Sequence, residues 1–296
     1  MKFSYLLNPF EWIKANSFAK KNSKFDKSTY DLELYLYSKI LSNNMLHYGY
    51  FEDPNTKPEE ISFKQLEDAQ IKYAENIIDH IEDQNKPVLD VGCGTGGLSQ
   101  LMHGKRLKVE SLTPNKNQIE YINKNFSYLK THHCKFENFK GDTKFGTVIN
   151  SESFQYIGLD EAFKLMDQIL LPSGKWIIVD YFRLHGEGIE KSGHYLDVFR
   201  EKLKENNWTI KKEQDITLNV LPTISYIHMF IERLLVPIKH FGYEKLRFKK
   251  PKLYFMSGKI RESIDKKILK ETAAIDPKKF VDEKKYMFFV LEKSTS

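Results

Sequence analysis

The residues best equipped for chemistry begin at Val88-Leu89-Asp90-Val91-Gly92-Cys93-Gly94-Thr95-Gly96-Gly97. A short apolar run carrying an acid predicts a buried strand. Four glycines in six residues then let the backbone turn tightly against a ligand before Leu98 opens a helix. A dinucleotide site wants glycine N–H groups and a helix N-terminus facing a pyrophosphate, whereas a carboxylate at the strand end repels that anion and suits a cation. A second acid, Glu152, follows the apolar run Phe145–Asn150. Ligands lie beyond the carboxyl ends of strands in open α/β sheets, so Ser151-Glu152-Ser153-Phe154-Gln155-Tyr156-Ile157 is expected to touch substrate. An aromatic phrase, Met45-Leu46-His47-Tyr48-Gly49-Tyr50-Phe51, precedes the first strand and adds a histidine.

The elements that must hold these residues alternate strand with helix. Ser62 and Gln65 have capping-box spacing, and the helix they open places Leu66, Ala69, Tyr73, Ile77 and Ile81 on one face. Strands are expected at Lys108–Thr113, up to about Cys134, at Phe145–Asn150, Trp176–Asp180, Trp208–Thr217 and Tyr286–Glu292. Pro114 falls where a helix can begin, and Asp160 starts another that Leu171-Pro172-Ser173-Gly174 ends. Upstream, Asp31–Leu41 has the pattern of a packed helix, and beyond Pro222 a helical pitch aligns Ser225, His228, Glu232 and Lys239.

A chain of 296 residues can bury one substantial core, and 41% hydrophobic with 29% charged residues describes an ordinary globular protein. Cys93 and Cys134 make neither a disulfide framework nor a zinc spacing, so no metal site is expected. The apolar run after Lys2 is broken by Asn8, Pro9 and Glu11, which argues against a signal peptide and for a cytoplasmic protein. The net charge of +6 is concentrated between Lys239 and Lys285, a stretch suited to an anionic lipid surface, a nucleic acid or an acidic substrate. No RNA-binding signature accompanies it.

The V-L-D-V-G-C-G-T-G stretch resembles motif I of the class I S-adenosylmethionine-dependent methyltransferases. The H-x-G-Y-F phrase, Leu112-Thr113-Pro114-Asn115-Lys116-Asn117-Gln118, the Phe136-Glu137 pair and Glu152-Ser153 are similar, in the same order, to the tocopherol, sarcosine/dimethylglycine and cyclopropane-fatty-acid-synthase groups of that family. The resemblance implies a Rossmann-like fold, a mostly parallel seven-stranded sheet with helices on both faces. An N-terminal helical lid would occupy 1–60, and the methyltransferase domain 61–296 would carry a helical insertion at about 222–280. It also implies an S-adenosylmethionine site built by Asp90, Gly92, Cys93, Gly94, Gly96 and Asn150, with Thr113 and Gln118 at the ribose and Phe136 and Glu137 at the adenine. Glu110 is an outside candidate for the ribose. Glu152, Tyr156 and His47 are the candidates for moving a proton, and Tyr48, Tyr50 and Gln155 for shaping the acceptor pocket.

One departure bears on the reaction. Cyclopropane synthases carry a Glu-His pair where this chain has Gln155-Tyr156, and their glutamate belongs to a bicarbonate site that takes a proton from a carbocation. Gln155 holds no such charge, so methyl transfer to an oxygen, nitrogen or activated carbon of a small molecule is the leading expectation. Lipid or fatty-acyl methylation or cyclopropanation at a membrane surface, reached through the basic C-terminal region, is one alternative. An RNA-directed methylase or a non-catalytic cofactor-binding partner is the other, and the absence of a D-P-P-Y or Pro-Cys phrase disfavours nucleic acid.

Overall fold

The computed structural model describes residues 9–21, 39–184 and 192–294. Seven strands form one sheet: β1 (Val88–Val91), β2 (Val109–Thr113), β3 (Lys130–His133), β4 (Phe145–Ser151), β5 (Leu170–Arg183), β6 (Trp208–Asp215) and β7 (Lys284–Lys293). Their spatial order is β3-β2-β1-β4-β5-β7-β6. The pairs from β3 to β5 are parallel, and β7 runs antiparallel between β5 and β6. The order reverses between β1 and β4, where successive strands build outward in opposite directions, and that point opens a crevice for a ligand.

Period-two alternation divides the strand side chains between two cores. Leu89, Val91, Val148, Trp176, Ile178, Met287, Phe289 and Leu291 enter one. Val88, Ile149, Ile177, Val179, Tyr286, Phe288 and Val290 enter the other. Both faces are thus apolar and both are covered, as a central parallel sheet requires.

The helices are α1 (Pro9–Lys21), α2 (Phe63–Ile78), α3 (Gly97–Gly104), α4 (Lys116–Asn125), α5 (Leu159–Ile169), α6 (Leu196–Glu205), α7 (Thr217–Phe230), α8 (Val236–Lys249), α9 (Pro251–Met256), α10 (Gly258–Ala274) and α11 (Pro277–Glu283). Ser62 and Gln65 cap α2 reciprocally. Asn115, rather than Pro114, begins α4, because its side chain accepts from the N–H groups of Asn117 and Gln118. β5 is longer than its apolar run, extending back through Leu171-Pro172-Ser173-Gly174 to Leu170. A π-turn at Ile231–Leu235 changes the helical phase, so the face expected from Ser225 to Lys239 is not one continuous stripe. Residues 31–38, expected as a helix, lie outside those described, and Leu41 beyond them is buried. Among the described residues no helix is long and apolar enough to cross a membrane.

Candidate active site

A cavity of about 410 Å³ opens at the β1–β4 switch point, within the ~300–1,000 Å³ range of small-molecule sites. Four pieces of chain wall it: the glycine loop after β1, the β2–α4 turn with Thr113 and Gln118, Ser151–Ser153 after β4, and Asn44–His47. Gly92, Gly94 and Gly96 have φ of +75°, +55° and +88°, the left-handed region that a side chain resists. Gly92 is also pinned from outside, since a Cβ there would lie 2.3 Å from the Ser153 Cβ.

The aromatic segment is held over this loop from both ends. The Asn44 carbonyl accepts from the Thr95 hydroxyl (2.6 Å) and from the Gly97 N–H (3.1 Å). The Gly49 N–H donates to Thr223 Oγ1 at 3.0 Å, Tyr50 N–H to the Ala69 carbonyl at 2.8 Å, and Phe51 N–H to the Asn219 carbonyl at 2.9 Å. Gly49 must be glycine for contact reasons, because a Cβ would meet the Ala69 Cβ at 2.7 Å. The segment is therefore stitched between α2 and α7 and closes one wall of the cavity.

Asp90 is 1% exposed, yet it lines the cavity. Its Oδ2 accepts from the Ser99 hydroxyl at 2.5 Å, and Ser111 donates in turn to Ser99 at 2.8 Å. Burial raises its pKa to about 6, against the opposing effect of the Ser99 hydrogen bond. Glu152 has φ +51°. It is only partly covered as a residue, but its carboxylate is packed inward, where Oε1 accepts from the Tyr48 N–H at 2.7 Å and the Tyr286 hydroxyl at 2.5 Å. Burial lifts its pKa to about 7, while both donors pull the other way. The Tyr286 oxygen lies 2.9 Å from that of Tyr73, which donates to the Val179 carbonyl.

His47 stacks on Tyr73 with ring centroids 4.3 Å apart. Its Nδ1 is 2.8 Å from the Tyr48 carbonyl and so carries the proton, leaving Nε2 as an acceptor. Nε2 is buried without a hydrogen-bond partner. Burial pushes the imidazole pKa down to about 4, so the ring is neutral at pH 7 and a weak base. Thr113 donates to the Gln118 side-chain carbonyl at 2.7 Å, and both line the cavity. Tyr156, 75% exposed, stands at its mouth.

Other expected site residues are placed differently. Phe136 is packed in the larger core beside Phe139 and does not line the cavity, and half-buried Glu137 does not line it either. Asn150 is fully buried, donating to Ser153 Oγ (3.1 Å) and accepting from Trp176 Nε1 (2.8 Å), so it braces the Ser153 turn. The Ser153 hydroxyl continues this brace to the Val91 carbonyl at 2.6 Å. Gln155 donates its N–H to Asp180 at 3.0 Å and its side-chain carbonyl accepts from Tyr181. Glu110 pairs with Lys130 and His132, away from the cavity. Tyr48 reaches the site through its N–H, and Tyr50 packs against the second core.

Three further residues around the site were not singled out from sequence. Asn44, φ +56°, lines the cavity and accepts from Tyr121 at 2.6 Å. Tyr286 sits in a strand of aromatics that reads as core. Asp180 ends the apolar run of β5 as Asp90 interrupts that of β1, and this parallel was the available clue. Burial raises its pKa to about 7, with the nearby Glu152 charge adding to the effect.

Among the described lining residues there are two carboxylates but no lysine or arginine. That donor set fits a ligand with a sulfonium and an ammonium and opposes a pyrophosphate. Ionisation of Asp90 favours such a cation, so its affinity is expected to rise from pH 5 and level off above about pH 6, by up to about tenfold per pH unit for the proton released. Titration calorimetry across that range measures it.

The fold is shared with the cyclopropane synthase MmaA2 from Mycobacterium tuberculosis, at TM-score 0.64 and 15% identity over 90% of this chain and 95% of that one. It is shared too with geranyl diphosphate C-methyltransferase from Streptomyces coelicolor A3(2), at TM-score 0.59 and 16% identity over 84% and 89%. In sequence, the chain is 26% identical over 151 residues to sterol 4-C-methyltransferase strm-1 of Caenorhabditis elegans. That match spans 47% of this chain and 44% of the worm protein, less than half of each. The model of the mycolic acid cyclopropane synthetase family matches residues 18–224, a stretch that contains every wall of the cavity. This chain belongs to the mycolic acid cyclopropane synthetase family, within the class I S-adenosylmethionine-dependent methyltransferases.

Proposed function

We propose that this protein transfers the methyl group of S-adenosylmethionine to an oxygen, nitrogen or activated carbon of a small-molecule or lipid acceptor. The observation that carries the reading is the cavity at the β1–β4 switch point, acidic and without a basic side chain among its described lining residues. The cofactor supplies a methyl group already activated by a positively charged sulfur. The chain therefore has to bind, align and exclude water, and alignment contributes roughly 7–11 kcal/mol in the best intramolecular cases.

In this reading Asp90 and the Nε2 acceptor of His47 offset the positive charge of the ligand, and Thr113 with Gln118 serves the ribose hydroxyls. The glycine loop lets the backbone approach closely. Glu152 receives the proton that an acceptor must lose, on a carboxylate held by the Tyr48 N–H and the Tyr286 hydroxyl. His47, with a pKa near 4, is assigned to binding rather than to proton transfer. Gln155, neutral and engaged by Tyr181 and Asp180, supports methyl transfer over a bicarbonate-assisted ring closure.

The test is incubation with methyl-labelled S-adenosylmethionine and a panel of phenols, amines, carboxylates, sterols and unsaturated acyl lipids. Label in an acceptor, with matching release of S-adenosylhomocysteine, is the expected result. Cofactor binding with no release across the panel favours a non-catalytic partner, and label found only in RNA, when RNA is added as a further acceptor, contradicts the acceptor class.

A further inference from the structure

The helices between β6 and β7 differ in how they are covered. α7 belongs to the fold, with Val220, Ile224 and Tyr226 buried. From Ile231 to Ala274, by contrast, none of the described side chains is buried. The segment nonetheless has defined internal contacts. Lys239 pairs with Asp265 at 2.7 Å, the Tyr243 hydroxyl donates to the Arg261 carbonyl at 3.3 Å, and the Arg261 guanidinium lies 3.5 Å from the centre of the Tyr254 ring.

Its outward side is apolar to an unusual degree. Ile238, Phe241, Phe248, Phe255, Met256 and Ile260 are each between 58% and 85% exposed. On α8 the spacing of Ile238, Phe241 and Phe248 returns them to one face, and Lys245 fills the remaining position of that stripe. An exposed apolar stripe on α8, with further exposed apolar side chains on the two helices that follow, marks an interaction surface. Its charge identifies the partner: residues 231–274 hold twelve lysines and arginines against five acids. A contact between two copies through this face would set like charge against like charge, while an anionic surface complements it. The cations also sit against the rings, Lys245 5.7 Å from the Phe241 centroid and Arg247 4.8 Å from that of Phe248. Long basic side chains so placed cover apolar surface with their stems and present charge at headgroup level.

We propose that residues 231–274 seat the protein on an anionic phospholipid surface. The exposed aromatic and aliphatic side chains enter the acyl boundary, and the surrounding lysines and arginines meet the headgroups. The proposal rests on the methyl-transfer reading for its purpose, which is to bring a lipid acceptor to the cavity, but its test does not depend on turnover.

Co-sedimentation with vesicles of phosphatidylcholine mixed with phosphatidylglycerol, and of phosphatidylcholine alone, decides it. Retention about tenfold or more greater on the anionic vesicles, weakening as salt is raised, is expected. Phe248→Ser combined with Phe255→Ser should reduce that retention about tenfold or more, with circular dichroism and S-adenosylmethionine affinity unchanged. Equal or absent retention on both vesicles overturns the proposal. So does retention that the double substitution leaves intact, or a dimer in ultracentrifugation that the double substitution dissolves. Retention by a protein without cofactor affinity supports this surface and overturns the methyl-transfer reading instead.

Discussion

Glu152→Gln is expected to lower turnover about 100- to 10,000-fold on an acceptor that must lose a proton, the span typical of a positioned acid or base. The substitution keeps shape and removes the negative charge together with the ability to take that proton. Cofactor affinity should change much less, because Asp90 and His47 remain in the cavity wall. A group with a pKa near 7 is poised for proton transfer at neutral pH, and turnover should rise with pH as Glu152 ionises. Tyr286 acts through Glu152 as a positioning residue. Its hydroxyl stabilises the carboxylate, so Tyr286→Phe should raise the Glu152 pKa and displace the rising limb of the pH–rate profile to higher pH. Steady-state kinetics across pH on the parent and both variants reads these effects. Unchanged turnover in Glu152→Gln would place the proton acceptor elsewhere.

Gly92→Ala should weaken cofactor binding by about a hundredfold or more, the equivalent of ~2.7 kcal/mol, and lower stability as well. Two costs combine at this position. A side chain at φ +75° costs roughly 1–2 kcal/mol in the backbone, and a Cβ placed 2.3 Å from the Ser153 Cβ adds about 1–3 kcal/mol of overpacking. Relief of the clash moves Ser153, whose hydroxyl ties the β4 end to Val91, so the damage reaches Glu152 one residue away. Gly104→Ala is the control. Its Cβ would meet nothing within 4 Å, so that variant should match the parent or gain up to about 1 kcal/mol from helix propensity. Thermal unfolding and cofactor titration separate the two. Normal binding by Gly92→Ala would mean that the loop tolerates displacement and does not shape the site.

The parts legible in sequence were those set by local chemistry. Short continuous apolar runs in β4 and β5 gave the strands, Ser62 with Gln65 gave a helix start, and the four glycines gave the loop. Thr113 and Gln118 were singled out by the resemblance of their phrase to the cyclopropane-synthase group, and the structure joins them by a hydrogen bond on the cavity wall. The remaining participants depend on distant chain. Tyr286 reaches Glu152 across 134 residues and Asn44 reaches Thr95 across 51. Nothing in the neighbourhood of either residue encodes the meeting. Phe136 shows the converse problem, since an aromatic after a strand suits a ligand wall and a core equally, and the core took it. The basic stretch that contains α8 to α10 was legible as suited to an anionic surface, but the exposure of its apolar faces was not, for a third reason. Periodicity shows that a helix has an apolar side but not whether protein covers it.

The most direct test of the cationic cofactor site is titration of S-adenosylmethionine into the parent protein, Asp90→Asn and Asp90→Ala, with circular dichroism confirming that each is folded. The account predicts saturable binding by the parent and a loss of about a hundredfold or more in both variants, with Asn failing because shape without charge does not suffice. A folded parent that binds no S-adenosylmethionine, or Asp90 variants that bind it as the parent does, would contradict the account.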